Sequence, residues 1–375
     1  MTLGRIDILN FKNIEEASLE FSSGANCLVG SNGMGKSNLL EAIWYLAMGR
    51  SPRGLTDAEL VRYGEKQMML RGLFSKVDDA EGEIASSLEV GIGWSEGKRK
   101  QLRRDGKECR RLSDHIGTIP IVLAQPSDLQ LVTGGAEERR RLIDNVISQA
   151  DASYLQHLIR YNEALKQRNS MLRNGVTDRI LLEAVENQME MSANAVVNTR
   201  LRWCADMAAP FARYYSLIAP DGETAGLDYK PSTDGMTFKE AIERARVRDA
   251  ALGYTTAGPH RDDLALTLSG HDVRRAGSQG QMKSFTVALR LAVFEYLGVR
   301  ATSTPILLLD DIFDKLDASR VERIVATVTS PRQAFGQIFI TDTNRKHIDS
   351  ILSQTAGDYR LFGVSDGRFS ILPTA

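Results

Sequence analysis

"VGSNGMGKSNLLEAI", residues 29–43, is the stretch on which the fold turns. Gly30-Ser31-Asn32-Gly33-Met34-Gly35-Lys36-Ser37 fits the pattern G-x-x-x-x-G-K-[ST], with Asn38 following in the next turn. Before it, the apolar "ANCLVG" reads as a strand; after it, "KSNLLEAIWYLAMG" carries apolar residues at helical spacing and stops at Gly49. Strand, glycine turn and helix form the context in which such a loop binds phosphate. Glycines let successive backbone N–H groups converge on phosphate oxygens, and the helix beginning near Lys36 adds its positive end. Lys36 would reach the β- and γ-phosphates, and Ser37 could ligate Mg²⁺. A glycine turn before a helix also occurs by chance, so the rest of the chain has to decide.

Ile306-Leu307-Leu308-Leu309-Asp310-Asp311 supplies the second element. It is a continuous apolar run ending in two carboxylates, as expected of a parallel strand buried on both faces with functional groups at its C-terminal end. Asp310 would hold Mg²⁺, leaving Asp311 to orient or deprotonate the attacking water. The third element is Ser278-Gln279-Gly280-Gln281-Met282-Lys283, which opens the apolar helix "SFTVALRLAVFEYLG". Ser278, Gly280 and Gln281 offer a hydroxyl, a close-approach glycine and helix N-terminal N–H groups that suit a γ-phosphate. Such a turn standing alone is an ordinary cap; its place just ahead of the Asp310 strand favours the phosphate reading.

Composition bounds the alternatives. At 375 residues with 42% hydrophobic content the chain can bury a sizeable core, and no run reaches the length of a membrane span. The start "MTLGRIDILNFKN" lacks a secretory layout, so a cytoplasmic protein is expected. Cys27, Cys109 and Cys204 are too few and too scattered for a disulfide framework or zinc knuckle. With 47 basic against 48 acidic residues there is no overall basic footprint, so any nucleic-acid contact must be a local patch. The five histidines show no ligand spacing, and His260 suits bracing a turn better than binding metal.

From about Glu137 to Tyr215 the apolar residues recur every three or four positions, interrupted by "RNGVTD" at 173–178, which predicts two long helices. Strand-like sequence is expected to resume only at 263–270, with 219–235 read as a turn-rich interruption. The predicted organisation is an α/β nucleotide core, residues 1–130 and 257–375, split around an inserted helical arm at 131–256.

The order of these residues resembles the ATP-binding-cassette heads of DNA-repair and chromosome-maintenance ATPases, most closely the bacterial RecF family of recombination mediators. The resemblance spans nearly the whole chain: "DILNFKN", the phosphate loop, "GRSPRG", "LVTGGAEERRRLID", "GPHRDDL", "SQGQMKS", "LLLDDIFDKLD" and "IFITDTN". It implies a mixed sheet with flanking helices, an ATP-dependent homodimer with ATP sandwiched between phosphate loop and partner signature, and weak DNA-stimulated hydrolysis. It also implies roles for Gln125 as the Q-loop residue sensing Mg²⁺ and γ-phosphate, for Asp317 at the dimer seam, and for Thr341 at the switch. Implied partners are duplex DNA at gaps and junctions, mediators of the RecO and RecR type and, downstream, RecA, with a link to SOS induction. Lys12 in place of arginine, "QPSD", "GGAEERRR" and the lack of a switch histidine depart from the broader pattern.

For DNA, the segment 98–111, "KRKQLRRDGKECRR", holds eight basic residues against two acidic around an Asp105-Gly106 turn. Lys98, Arg99, Lys100, Arg103 and Arg104 could grip a phosphate backbone, or could form a solvated hairpin edge that discourages strand pairing. Arg139, Arg140 and Arg141 fit a helix face paired with Glu137 and Glu138. A transporter motor would need a membrane partner, a linked nuclease a further domain, and a cohesion ATPase a far longer arm. A small-molecule kinase would have no use for the turn at Ser278.

Overall fold

The computed structural model describes residues 1–77, 84–176, 178–220, 222–314, 316–330, 335–354 and 358–373. The strands are β1 (Thr2–Phe11), β2 (Ile14–Glu20), β3 (Ala25–Val29), β4 (Gln67–Val77), β5 (Ile84–Ser95), β6 (Gln101–Arg104), β7 (Lys107–Glu108) and β8 (Ile121–Ala124). They continue as β9 (Ala225–Lys230), β10 (Asp263–Leu268), β11 (His271–Asp272), β12 (Ile306–Asp310), β13 (Ile338–Asp342), β14 (Tyr359–Ser365) and β15 (Arg368–Ile371). The helices are α1 (Lys36–Met48), α2 (Asp57–Leu60), α3 (Leu129–Thr133), α4 (Ala136–Ala150), α5 (Ala152–Arg173) and α6 (Arg179–Ile218). They continue as α7 (Phe238–Leu252), α8 (Val273–Ala276), α9 (Gln279–Arg300), α10 (Ala318–Val328) and α11 (Arg345–Gln354).

One sheet runs β15-β14-β3-β13-β12-β8, parallel from β14 to β8. Its central strands are apolar on both faces because both faces are covered. Leu307 and Leu309 of β12 join the core formed with α4, α6 and α9, whereas Ile306 and Leu308 join the core under α1. The opposite roof of that second core is the antiparallel sheet β2-β1-β4-β5-β6-β7. Helix α1 lies between the two sheets, buried from Leu39 to Met48, and ends where Gly49 adopts the left-handed region at φ 61°. Burying each such leucine or isoleucine is worth roughly 2 kcal/mol, so this helix is fixed by packing and holds the phosphate loop at its start.

The region 131–256 departs from the expected run of helices. Strand β9, "AGLDYK", pairs antiparallel with β10 and buries Ala225, Leu227 and Tyr229. Its alternation is short and sits among turn residues, which hid it. The 225–230 segment is therefore sheet rather than interruption. Helices α3 and α4 and the C-terminal half of α6 pack into the core of the parallel sheet. A smaller cluster of Tyr161, Ala164, Val185, Met189, Ala193, Phe238 and Ile242 joins α5, the N-terminal half of α6, and α7. Among the described residues no helix is long and apolar enough to cross a membrane.

Candidate functional site

The loops at the C-terminal ends of the parallel strands bring the first group of candidate residues together. Neighbouring strands β3, β13 and β12 carry the phosphate loop, Thr341 and Asp310 respectively. Asp310 is 3% exposed, and its Oδ1 accepts from the Ser37 hydroxyl at 2.7 Å and the Thr341 hydroxyl at 2.8 Å. Burial raises the Asp310 pKa, while those two hydroxyls pull it back down. Thr341 in turn accepts from the Asp311 N–H at 3.0 Å. Asp311 holds φ at 46°, a left-handed conformation that costs an L-residue energy and that clusters at functional sites. Burial raises its pKa too, against the pull of Lys36.

Lys36 is buried, and its ammonium donates to the carbonyls of Gly30 at 2.7 Å and Ser31 at 3.0 Å. Ser31, Asn32 and Gly33 are exposed at the loop crest. Gly35 has φ 111°, and a Cβ there would stand 2.9 Å from Asn13 Oδ1, so only glycine fits. Asn13 also accepts from Asn38 Nδ2 at 2.7 Å, bracing the loop from the β1–β2 turn.

The β14–β15 hairpin gives a second brace that sequence reasoning missed. The Gly367 N–H donates to the Met34 carbonyl at 2.8 Å, and Asp366 N–H points at Met34 Sδ. A groove of about 900 Å³ opens there, lined by Asn13, Arg62, Asp366 and Phe369 among others. The signal was present: Asp366-Gly367 is a two-residue turn between alternating runs.

Ser278, Gly280, Gln281 and Asp317 form the second group. Ser278 caps α9, its Oγ accepting the Gln281 N–H at 3.2 Å while Gln281 Oε1 accepts the Ser278 N–H at 2.6 Å. Asp317 caps α10 through the Arg320 N–H at 2.9 Å. Arg320 crosses between them: a Cβ on Gly280 would lie 2.4 Å from its Nη1, and its Nε is 3.4 Å from Asp317.

Gln125 stands at the end of β8, its N–H donating to Asp128 at 3.1 Å; Asp128 is gripped by Arg290 of α9 at 2.6 and 2.8 Å. It shares a cleft of about 170 Å³ with Gln279, Lys283 and Asp314. Ser37 and Asp310, 2.7 Å apart, are hard oxygen donors with a single carboxylate, the kind of pair that could hold Mg²⁺ together with substrate phosphates rather than in a protein cage.

The basic hairpin forms, with Asp105 and Gly106 at φ 47° and 74°, but its cations divide. Lys98, Arg99 and Arg103 are exposed. Lys100 turns inward, donating to Gly49 O at 2.7 Å and Asp57 at 2.9 Å over the Tyr45 ring, and Arg104 donates to Thr118 at 3.0 Å. Those two act as internal anchors, contrary to their reading as backbone contacts. Similarly, only Arg141 pairs with Glu137 and Glu138. Arg139 binds Asp263 through two nitrogens at 2.7 and 3.0 Å, and Arg140 donates to the Asp262 carbonyl at 2.7 Å.

They thereby lock "GPHRDD" to α4, in a motif to which the sequence assigned no role. Asp262 accepts from Tyr229 and from the Ser232 N–H, and Pro259 O accepts from Arg200 at 2.8 Å. His260 contacts Tyr161 through Nδ1 at 2.6 Å and the Thr255 carbonyl through Nε2 at 3.0 Å, a brace as expected.

The RecF/RecN/SMC N terminal domain family matches residues 2–359. The DNA replication and repair protein RecF of Porphyromonas gingivalis is 43% identical, covering 98% of this chain and 99% of that protein. The protein of the same name from Phocaeicola vulgatus is 44% identical, covering 98% and 97%. Solved structures of the recombination mediator protein RecF in the RecFOR pathway, as RecF-ATP and RecF-ATPrS, superpose with TM-scores of 0.86 and 0.85 at 28% identity. They cover 99% of this chain and 98% of that one. An Smc head bound to the C-winged helix domain of ScpA shares the fold at TM-score 0.59 and 16% identity. Matched over its length in sequence and in structure, the chain belongs to the RecF family of ATP-binding-cassette-type ATPase heads.

Proposed function

We propose that this chain is an ATP-switched DNA clamp of recombinational repair and replication-fork maintenance. The observation that carries the reading is the convergence of Ser37 and Thr341 on the buried Asp310, with Lys36 on the loop carbonyls beside them. Lys36 exchanges those carbonyls for the β- and γ-phosphates, and Ser37, Asp310 and Gln125 are the residues that would hold Mg²⁺. When bound, Mg²⁺ would supply neutralisation of the phosphate charge. Asp311, with its pKa raised by burial, takes a proton from the attacking water.

Ser278, Gly280 and Asp317 face the nucleotide of a second copy, so that two chains close around two ATP molecules. Slow, DNA-stimulated hydrolysis reopens them. The arm proper is α5, the first half of α6, and α7, which share their own small core. Exposed Lys98, Arg99 and Arg103 lie along duplex DNA near a gap or junction. Through mediators of the RecO and RecR type the closed dimer promotes RecA loading on single strands, and through it SOS induction. The likeness to DNA replication and repair proteins named RecF over 98% of this chain, and to RecF structures of the RecFOR pathway, supports this reading.

Lys36→Arg tests the cradle: phosphate release is expected to fall about a hundredfold. Unimpaired turnover in that variant would remove the assignment.

A further inference from the structure

Helix α6 extends from Arg179 to Ile218, and its last turns rest on α9, which opens with the turn at Ser278, here called the signature turn. The rings of Phe211 and Tyr215 meet Phe285 of α9 edge-on, with centroids 4.7 and 6.1 Å apart. Tyr215 is fully buried, and its hydroxyl donates to Glu223 Oε2 at 3.0 Å. The other carboxylate oxygen, Oε1, accepts from Gln281 Nε2 at 2.6 Å.

A carboxylate can only accept, so it dictates which end of the Gln281 amide faces it. Oε1 of Gln281 is thereby turned to the Ser278 N–H, closing the capping box. The backbone around Glu223 is itself fixed: Thr224 O accepts the Ser269 N–H at 2.7 Å, and the β9–β10 ladder begins at Ala225. By helix geometry the N–H groups of Gln279 and Gly280 have no intrahelical acceptor. With the Ser278 N–H held by Gln281, those two amides and the Ser278 hydroxyl define what the turn presents to an anion.

We infer that Glu223, held by Tyr215, is a positioning residue for the signature turn, fixing the Gln281 amide so that Ser278, Gln279 and Gly280 meet the γ-phosphate bound by a second copy of this chain. The inference rests on the composite-site reading above. It makes the inner end of α6 the part of the helical segment that sets the geometry of ATP capture, so that Tyr215 and Glu223 serve the reaction without touching nucleotide.

The test is ATP-induced dimerisation of the full chain with Mg²⁺, followed by sedimentation, alongside ATP affinity measured at protein concentrations below dimerisation. Glu223→Ala is expected to raise the ATP concentration for half-maximal dimerisation about tenfold, with monomer ATP affinity unchanged. Glu223→Gln still offers an amide oxygen to Gln281 and is expected to stay within about twofold of the parent protein. Tyr215→Phe is expected to fall between them, and it keeps the test open should Glu223→Ala fold poorly. Parent-like dimerisation of Glu223→Ala overturns the inference, as does a Glu223→Gln protein as impaired as the alanine variant. Ser278→Arg serves as the control: if it also dimerises normally, the composite site itself is refuted, whereas a dead Ser278→Arg beside a normal Glu223→Ala refutes the positioning role alone.

Discussion

At the mouth of the parallel sheet, Lys36 and Asp310 are buried with partners drawn from within the site; at the root of the arm, Arg200 is buried with partners drawn from all around it. Lys36 rests on carbonyls of its own loop, and Asp310 on two hydroxyls. Arg200 donates through all three nitrogens to Asp144 of α4, Tyr154 of α5, Tyr229 of β9 and the Pro259 carbonyl. Arg168 repeats this in the arm, bonded to Glu186, Asp249 and Thr255. On the function proposed above, the first arrangement leaves charged groups able to exchange partners when a phosphate arrives, at the expense of unfavourable burial. The second engages every nitrogen of Arg200 and turns several segments into one brace. On that reading, function sits where the bonding is replaceable, and rigidity where it is closed.

The largest expected effect lies on the replaceable side. Asp311→Asn should lower the ATP hydrolysis rate by about 10²- to 10⁴-fold while leaving the thermal melt in place. A rate within threefold of the parent's would put the proton acceptor elsewhere.

On the closed side, Arg200→Met should destabilise the fold by about 3–5 kcal/mol, because Asp144 and Asp262 are left without their cation. Urea unfolding measures it, and a loss below about 1 kcal/mol would mean that the network is dispensable.

The two regions should also answer pH with opposite signs. Burial pushes His260 down to about 4, so its stabilising neutral form is fully present above the ordinary histidine range near 6.5 and is lost as pH falls from there toward 4. The loss should be about 2 kcal/mol, with allowance for partial exposure, and should vanish in His260→Asn. Asp310 is raised instead, so it weakens the fold as pH rises through its folded pKa. Asp310→Asn should therefore melt higher than the parent at neutral pH while losing hydrolysis. Melts of both variants across pH 4–8 separate the two effects; parallel curves would erase the contrast.

The smallest effects belong to the hairpin. Replacing Lys98, Arg99 or Arg103 with alanine should each reduce the salt dependence of duplex DNA binding by about one unit of slope. Lys100→Ala should change stability and leave that slope alone, since its ammonium is spent on Gly49 and Asp57.

This contrast also explains what was legible in the sequence. The phosphate loop, the strand ending in Asp310 and the hairpin turn at Asp105-Gly106 are local patterns in which neighbouring residues carry the meaning. So are α5 and α6, which the three- and four-residue spacing outlined on either side of 174–178. The brace is not local: Asp144, Arg200, Tyr229 and Asp262 lie far apart in the chain and acquire their roles only on folding. Arg139 and Arg140 looked like a helix face because Asp262 and Asp263 are more than a hundred residues away. Lys100 could not be told from Lys98 by charge, since what divides them is the reach of Lys100 to Gly49 at the end of α1 and to Asp57. Glu223 carried no pattern at all, its partner Gln281 being brought by the β9–β10 pairing.

Sedimentation of the full chain with and without ATP and Mg²⁺, repeated with duplex DNA at two salt concentrations, tests the clamp most directly. The account predicts a monomer that becomes a dimer only with ATP and then binds DNA more weakly at higher salt. A species indifferent to ATP, or an ATP-dependent dimer that ignores DNA, would contradict it.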